Sequence, residues 1–198
     1  MHAPSRCRAA FAALVLVAAC AESPLAPAAN AAPVDNGVSA VSYDAARART
    51  ISVAGCAGSA IFLTADEKAT LDLHNTQRKA NGLPAFCVDA KLTAAARAHS
   101  DDMLSRSYFS HTSVDGTTFG TRLSTFGYAP FSAVAENIAM GTGPVGGPEQ
   151  TFSNWMNSAG HRANIQNGKL REIGVGVSAG TFQGYANSRM YTVDFATH

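Results

Sequence analysis

Two histidines and one glutamate in this sequence stand where a predicted helix or strand meets a loop. His111 lies in the stretch SYFSHTSVDG, Glu136 in AEN and His161 in SAGHR. Two imidazoles and a carboxylate form a donor set that suits a divalent metal such as zinc. The same set serves equally well as a general acid/base pair or as a polar patch that binds a ligand.

Each of the three residues also has a purely structural explanation. A histidine at the C-terminal end of a helix interacts favourably with the helix dipole, and Glu136 can pair with Arg122 or Arg162. The sequence contains no HExxH, no GxSxG and no glycine-rich phosphate-binding loop, so no catalytic motif decides between these interpretations. Spacing alone therefore leaves open whether the three residues form a site and whether the protein is an enzyme.

The first 20 residues have the features of an export signal. Arg6 and Arg8 form a basic start, and an apolar run follows from residue 9 to 19. That run is shorter than the roughly 20 apolar residues that a membrane-spanning helix needs, so we interpret residues 1–20 as a signal peptide. Its exit, LVAAC, resembles a bacterial lipobox, which predicts that Cys20 is lipidated and becomes the new N-terminus. Ordinary cleavage at a later Ala-x-Ala site is the alternative.

Residues 21–55 are rich in alanine, proline and serine and contain one aromatic residue, Tyr43. Such a segment cannot bury enough apolar surface to offset the entropy lost on ordering, so it is predicted to be a disordered tether. The chain carries 15 Lys and Arg and 14 Asp and Glu, and removal of residues 1–20 takes away two arginines and no acid, which leaves a net charge of −1. Because no basic patch stands out, nothing favours a nucleic-acid partner.

The four cysteines divide into two groups. Cys7 leaves with the signal and Cys20 is the lipidation candidate, so Cys56 and Cys87 remain. In an oxidising compartment an even pair predicts a disulfide, which would join the segment before the first helix to the segment after it. Two free, buried thiols are the alternative.

The remaining residues, 56–198, have the pattern of one α+β domain. A capping box at Thr64 and Glu67 begins a first helix, which ends at Asn81. Apolar residues at helical spacing predict further helices at 89–107, at 119–126 and from Pro148 to Gly160.

Strands are predicted in the second half of the domain. AVAENIAMG reads as one strand, and EIGVGVSAG and RMYTVDFAT alternate with the period of two that strands show. The intervening TFQGYANS resembles a turn, so the last two strands are expected to pair antiparallel. Helices first and strands last indicate α+β rather than a βαβ winding.

A series of seven motifs runs from about residue 64 to 197: LHNTQR, AAARAHSDDM, YFSHTSVDG, AENIAMG, WMNSAGHRANI, EIGVGV and YTVDFA. In identity and order they resemble the CAP superfamily of cysteine-rich secretory proteins, antigen 5 and plant pathogenesis-related 1 proteins, specifically its bacterial SCP-like branch. The resemblance covers essentially the whole predicted domain. It implies an α-β-α sandwich, in which a small antiparallel sheet lies between helical layers, with a cleft on one side.

The resemblance also implies which residues line the cleft. In this family two histidines and two acidic residues face the cleft, and in some members they bind zinc or another divalent cation. His111, Glu136 and His161 fall on three of these positions, while the register of the second acid carries Ser158. Loss of one carboxylate lowers the negative charge available to a cation, so a metal site here is expected to be weaker.

Four neighbouring residues are expected to be structural. His99 and Trp155 lie on apolar helix stripes and are interpreted as core residues. Arg162 and Asn164 are expected to tie the turn beside His161 to neighbouring backbone.

The function that the resemblance implies is an exported module that binds a ligand at this cleft, with an optional divalent cation. Lipids, cell-envelope components and host components are the ligand classes considered, and contact with a membrane is expected only through the anchor on Cys20. A protease-like hydrolase that uses His111, Glu136 and His161 is one alternative. A non-catalytic adhesion module that contacts an envelope protein is another. No motif predicts the ligand or the oligomeric state.

We expect Cys20 to be acylated in the mature protein, because LVAAC resembles a lipobox. The acyl chains would retain the chain at a membrane through burial of their methylene groups. Mass spectrometry of the mature chain should find an N-terminal peptide that begins at Cys20 and carries acyl chains. Cys20→Ala should move the protein to the soluble fraction, whereas Cys7→Ala should not. A mature, unacylated N-terminus beyond an Ala-x-Ala site would refute the lipobox interpretation.

Overall fold

The computed structural model describes residues 50–198. The predicted signal peptide, with Cys20, and most of the predicted tether lie outside the described residues. In chain order the elements are β1 (Ile51–Ala54), β2 (Ala60–Leu63), α1 (Ala65–Ala80), β3 (Cys87–Val88), α2 (Ala90–Ser105), α3 (Phe119–Thr125), β4 (Ala133–Thr142), a 3₁₀ turn (Gly143–Gly146), α4 (Pro148–Asn157), α5 (Ala159–Ile165), β5 (Glu172–Phe182) and β6 (Tyr185–Thr197). Within this part of the chain, no helix has the length and apolar character needed to cross a membrane.

The first two predicted helices are present, and side chains cap their first turns. Thr64 Oγ1 accepts the N–H of Glu67 at 3.3 Å, and Glu67 Oε2 accepts the N–H of Thr64 at 2.8 Å, which confirms the capping box of α1. Asp89 Oδ1 accepts the N–H groups of Lys91 and Leu92 at 2.8 and 2.9 Å and begins α2. These bonds satisfy backbone donors that have no partner within the helix.

The predicted fourth helix ends earlier than expected. α4 stops at Asn157, and the extended backbone of Ser158 separates it from α5. The prediction that Gly160 ends this helix is wrong: Gly160 lies inside α5, has no positive φ, and would have open space around a Cβ. The break falls at Ser158 because serine competes with the helical backbone for hydrogen bonds and favours helix ends.

Four strands form the central sheet, in the order β3-β5-β6-β4. β6 pairs antiparallel with β5 and with β4, as predicted for the last two strands, whereas β3 pairs with β5 in parallel over only two residues. β5 and β6 continue into the stretch predicted as a turn. The reversal itself takes only Gln183 and Gly184, which both have positive φ.

Helices cover both faces of this sheet. On one face α1 and α4 contribute Leu71 and Trp155 to a core cluster that also contains Phe195 of β6. On the other face α2 packs along β5 and β6 and buries Leu92 and Met103. The predicted fold class, an α+β protein with an α-β-α sandwich, is therefore confirmed, and Trp155 is a core residue as expected.

The backbone of α2 lies close to β5 at two glycines. A Cβ at Gly174 would stand 2.1 Å from the carbonyl carbon of Leu92, and one at Gly176 would stand 2.3 Å from that of Ala96. No side chain fits at such distances, so only glycine allows the helix to pack this close. Ser100 of α2 lies in the same contact, with its Oγ 3.0 Å from the carbonyl oxygen of Gly176.

The hairpin of β1 and β2 precedes α1. β1 begins at Ile51, inside the predicted tether of residues 21–55, so the tether prediction is wrong for its last residues. The physical reason is that the hairpin places Ile61 and Leu63 in the core cluster, and their burial offsets the entropy lost on ordering. The predicted disulfide between Cys56 and Cys87 is present and joins the hairpin to β3.

Arg78 of α1 fixes the segment that follows α5. Its guanidinium donates to backbone carbonyls only: Nε to Pro84 at 2.8 Å, Nη1 to Ile165 and Asn167 at 3.0 Å, and Nη2 to Leu170 at 3.0 Å. The group is fully buried, with its central carbon 3.8 Å from the ring centroid of Phe86. The buried charge therefore has polar partners on all three nitrogens, and the end of α5 is held against α1.

We expect Gly174→Ala to lower the free energy of unfolding by about 3 kcal/mol, because the new methyl group must push α2 away from β5. Urea denaturation of the wild type and the variant measures this change. Gly120→Ala is the matched control: its Cβ meets only the ring of Phe131, at 3.9 Å, and alanine favours a helix by up to about 1 kcal/mol. Equal losses in both variants would refute the close approach.

Candidate functional site

Three elements bring His111, Glu136 and Arg122 together. Glu136 lies in β4, Arg122 in α3, and His111 in the loop between α2 and α3. His111 Nδ1 lies 2.8 Å from Glu136 Oε1, and Arg122 Nη2 donates to Glu136 Oε2. Both oxygens of the carboxylate are therefore occupied. Of the two partners considered from the sequence, Arg122 is the one that pairs with Glu136.

The three side chains differ strongly in exposure. Glu136 is 1% exposed and Arg122 6%, whereas His111 is 39% exposed and forms the outer edge of the site. Burial raises the pKa of Glu136, but the hydrogen bond from His111 and the charge of Arg122 outweigh burial and hold that pKa below its ordinary value. Because an ionised carboxylate only accepts, His111 Nδ1 donates to it, and Nε2 is the nitrogen left for another partner.

Asp194 is a member of the site that was not singled out from the sequence. It lies in β6 directly opposite Glu136 in β4, and it is fully buried. Burial, together with the negative charge of Glu136, raises its pKa well above the ordinary value, so Asp194 is the neutral acid beside an ionised one. The carboxylate of Glu136 is the acceptor that a protonated Asp194 faces, and the oxygens of Asp194 have no other hydrogen-bond partner among the described residues. The available signal was an acid between the apolar residues Val193 and Phe195 of a predicted strand.

His161 lies on α5 rather than after α4, and it is nearly buried. Its pKa is lowered by burial and, to a smaller degree, by the charge of His111. The imidazole is therefore neutral at pH 7, and its Nδ1 has no hydrogen-bond partner within residues 50–198. Asn137, the neighbour of Glu136 in β4, donates to the carbonyl oxygen of His161 at 3.2 Å and so ties α5 to the site.

The residues expected to be structural take that role. Arg162 Nη1 donates to the carbonyl oxygen of Met156 at 2.6 Å. Asn164 Nδ2 lies 3.5 Å from the carbonyl oxygen of Glu136, and its shorter bond, at 2.8 Å, is to the side-chain Oδ1 of Asn137. His99 is buried, as predicted, and its Nε2 lies 2.9 Å from the carbonyl oxygen of Ser110. Since Ser110 precedes His111, this contact fixes the loop that carries the exposed imidazole.

The side chains of His111, Glu136 and His161 do not form the predicted metal site in advance of metal binding. Among the described residues, no three His, Cys, Asp or Glu side chains are grouped so that they could hold a metal ion. Both oxygens of Glu136 already accept from His111 and Arg122, so a cation at this carboxylate would compete with the charge of the guanidinium. Ser158, at the position of the family's second acid, connects α4 to α5, and its side chain makes no capping bond there.

Comparisons with known proteins agree with this fold. A sequence model described as "Cysteine-rich secretory protein family" matches residues 71–195. The uncharacterized protein YkwD of Bacillus subtilis is 38% identical over 117 residues, which are 58% of this chain and 43% of that protein. This chain thus spans less than half the length of that relative.

Two solved structures have the same fold. An extracellular protein containing an SCP domain from Bacillus anthracis has 30% identity and a TM-score of 0.57, and the match covers 67% of this chain and 40% of that one. An outer surface protein of Borrelia burgdorferi has 21% identity and a TM-score of 0.58, with coverage of 67% and 92%. At the latter identity the likeness concerns the fold alone.

We expect zinc to bind the wild-type chain no more tightly than it binds His161→Ala, because Arg122 already neutralises Glu136 and occupies one of its oxygens. Calorimetric titration of zinc at neutral pH measures both affinities. His198→Ala, which lacks an exposed imidazole near the C-terminus, controls for surface binding. Stoichiometric binding by the wild type that disappears only in His161→Ala would contradict this prediction and establish a metal site.

Proposed function

The chain belongs to the cysteine-rich secretory protein (CAP) family, and from this premise we propose that it is an exported module that binds a small ligand. The ligand places its polar head group in the cleft around His111, Glu136 and His161. The protein is not an enzyme in this proposal, and it needs no resident metal. A lipid or another component of the cell envelope has the required head group.

The observation that carries the proposal is a buried polar cluster with unmet hydrogen bonds. Arg122 Nε and Nη1, His99 Nδ1 and His161 Nδ1 are buried without a partner among the described residues. His99, Arg122 and Asp194 also interact electrostatically with Glu136. An unpaired buried polar atom costs about 1–3 kcal/mol, so a core that served stability alone would not retain several of them together. A polar head group that hydrogen-bonds to them recovers part of this cost.

The charges of the cluster suit a neutral or weakly polar group better than a strong ion. Glu136 is compensated by Arg122, Asp194 is protonated and His161 is neutral, so the interior of the site has little net charge. A hydroxyl group can both donate to and accept from such a set of side chains, and a carbonyl oxygen can accept from it.

A hydrolase is the second candidate, and the contact between His111 and Glu136 favours it. A carboxylate that holds an imidazole at 2.8 Å orients it as a general base. Against catalysis, the side chain of Ser158, the serine three residues before His161, makes no capping hydrogen bond, and no contact among the described residues marks it as an activated nucleophile.

Export is supported by three independent features. The basic and apolar N-terminal residues resemble a signal peptide, the disulfide between Cys56 and Cys87 is typical of an oxidising compartment, and the similar protein of Bacillus anthracis is described as extracellular. Anchoring through Cys20 belongs to the same proposal.

We expect the protein purified from a bacterial envelope to carry a ligand that organic extraction releases and mass spectrometry detects. His161→Ala and Glu136→Gln should each retain at least tenfold less ligand per mole of protein, because both remove polar contacts at the head group; about 1.4 kcal/mol corresponds to a factor of ten. His198→Ala is the matched control and should retain the wild-type amount. Melting curves confirm that each variant is folded.

Equal retention in all four proteins, or no ligand in the wild type, would overturn the binding proposal. Turnover of a peptide or casein substrate by the wild type, lost in His111→Ala, would decide for the hydrolase instead.

A further inference from the structure

Within residues 50–198, one edge of the central sheet has a neighbouring strand over only a small part of its length. β5 pairs with β6 along nearly all of its residues, but on its other side β3 reaches only Glu172 and Ile173. The last backbone bond on that side joins the N–H of Asp89 to the carbonyl oxygen of Ile173 at 2.9 Å. From Gly174 onward, no described strand pairs with this outer edge.

The direction of the backbone groups on this edge follows from the register. The carbonyl group of Ile173 points away from β6, and the pairing of β5 with β6 is regular up to Gly180. Because successive residues of a strand point their backbone groups to opposite edges, Val177 and Ala179 direct their N–H and C=O groups outward. Both residues are half-buried and Thr181 is exposed, whereas Val175 is fully buried. The open part of the edge therefore begins at Val177.

A groove runs along this open edge. One cavity, of about 380 Å³, lies between α2 and the junction of β2 with α1 and is lined by Phe62, Asp101 and Val177 among others. A second cavity, of about 420 Å³, shares Asp101 and Ala179 with the first and continues past Ser105 to Thr181. The nine residues of α2 from Arg97 to Ser105 span roughly 12 Å, which matches about four residues of an extended chain.

The groove is closed at one end by charges that already have partners. Arg97 bridges α2 to Glu67 at the start of α1 and to the carbonyl oxygen of Phe62, and Arg189 pairs with Asp66. These contacts leave little net charge at that end. Phe62 stands beside them with 55% of its surface exposed, and it provides an apolar contact.

Asp101 gives the middle of the groove its negative charge. It is exposed, one of its oxygens accepts the hydroxyl of Ser178, and within residues 50–198 it has no ion pair. Both cavities include it. A basic side chain in the groove would find its complement here.

We propose that the outer edge of β5, from Val177 to Thr181, binds an extended peptide segment of a partner protein as an added strand. Main-chain hydrogen bonds to Val177 and Ala179 hold the segment, a basic side chain pairs with Asp101, and an apolar side chain next to it in sequence contacts Phe62 and Val177. Alternating side chains point to opposite faces of a strand. A bound strand would therefore direct its basic side chain to Asp101 and the next, apolar side chain to Phe62 and Val177 on the other side. The edge lies two strands from β4, which carries Glu136, so this surface is separate from the cleft.

Hydrogen exchange of the full chain tests the location. The probe is the peptide acetyl-Thr-Val-Lys-Val-Thr amide, at millimolar concentration and low salt. We expect it to slow amide exchange at Val177 and Ala179 at least about tenfold, because these amides become hydrogen-bonded. The matching peptide with glutamate in place of lysine should have little effect, since Asp101 repels it.

Two variants test the contacts, with binding of a fluorescent form of the lysine peptide measured by anisotropy. Ala179→Pro removes one outward N–H without breaking a bond to β6 and should abolish binding. Asp101→Asn should weaken binding about fivefold at low salt and much less at about 0.5 M salt, where surface charges are screened. Asp115→Asn removes a different exposed acid and should leave binding unchanged. If Ala179→Pro does not fold, Asp101→Asn and the exchange data still decide whether the peptide binds at this edge.

Three results would overturn the proposal. The first is unchanged exchange at Val177 and Ala179 with the lysine peptide. The second is equal binding of the lysine and glutamate peptides. The third is slow exchange at both amides before any peptide is added, which would mean that a segment of the same chain already covers this edge.

Discussion

The close approach of α2 to β5 is the constraint on which the rest of the structure depends. Gly174 and Gly176 lie two residues apart, so both face α2, and a Cβ at either position would overlap the helix backbone. With the helix held at this distance, His99 fixes the loop before His111 from one side of α2. From another side the same helix presents Arg97 and Asp101 to the groove. The cleft and the strand edge therefore inherit their geometry from one contact.

The site around Glu136 combines two carboxyl groups in different protonation states. Glu136 and Asp194 face each other across β4 and β6, and both cannot be ionised at low cost in a buried site. Arg122 and His111 contact Glu136, so the negative charge resides there and the proton on Asp194. Removal of one member of a buried ion pair generally costs more than the pair contributes. The cluster is thus an interdependent unit in which Arg122 is as necessary as the histidines.

The sequence predicted the elements with strong periodicity and missed those that tertiary contacts create. The helices α1 to α4, the strand β4 and the antiparallel pair β5–β6 have clear patterns or caps, whereas β3 has two residues and β1 depends on its hairpin partner. The break at Ser158 was assigned to Gly160, because glycine is the stronger terminator in general and only the packed structure shows that nothing requires it there. For the site, residue type and position singled out His111, Glu136 and His161, and the resemblance indicated that they share one site. Spacing could not choose between Arg122 and Arg162, nor reveal that Asp194 faces Glu136, because strand register is not visible in a single sequence.

The bond between Cys56 and Cys87 makes the stability of the fold depend on where the chain matures. It closes a loop with a sequence separation of 31 residues, which in the chain-entropy account contributes about 3–4 kcal/mol. Typical domains have a total stability of about 5–15 kcal/mol, so the contribution is a large share. In a reducing cytosol the thiols stay apart, and the hairpin that forms one wall of the groove is held by side-chain packing and its few backbone bonds. The chain with free thiols is therefore a looser molecule than the oxidised one, and it gains its full resistance to unfolding and proteolysis only when the disulfide forms.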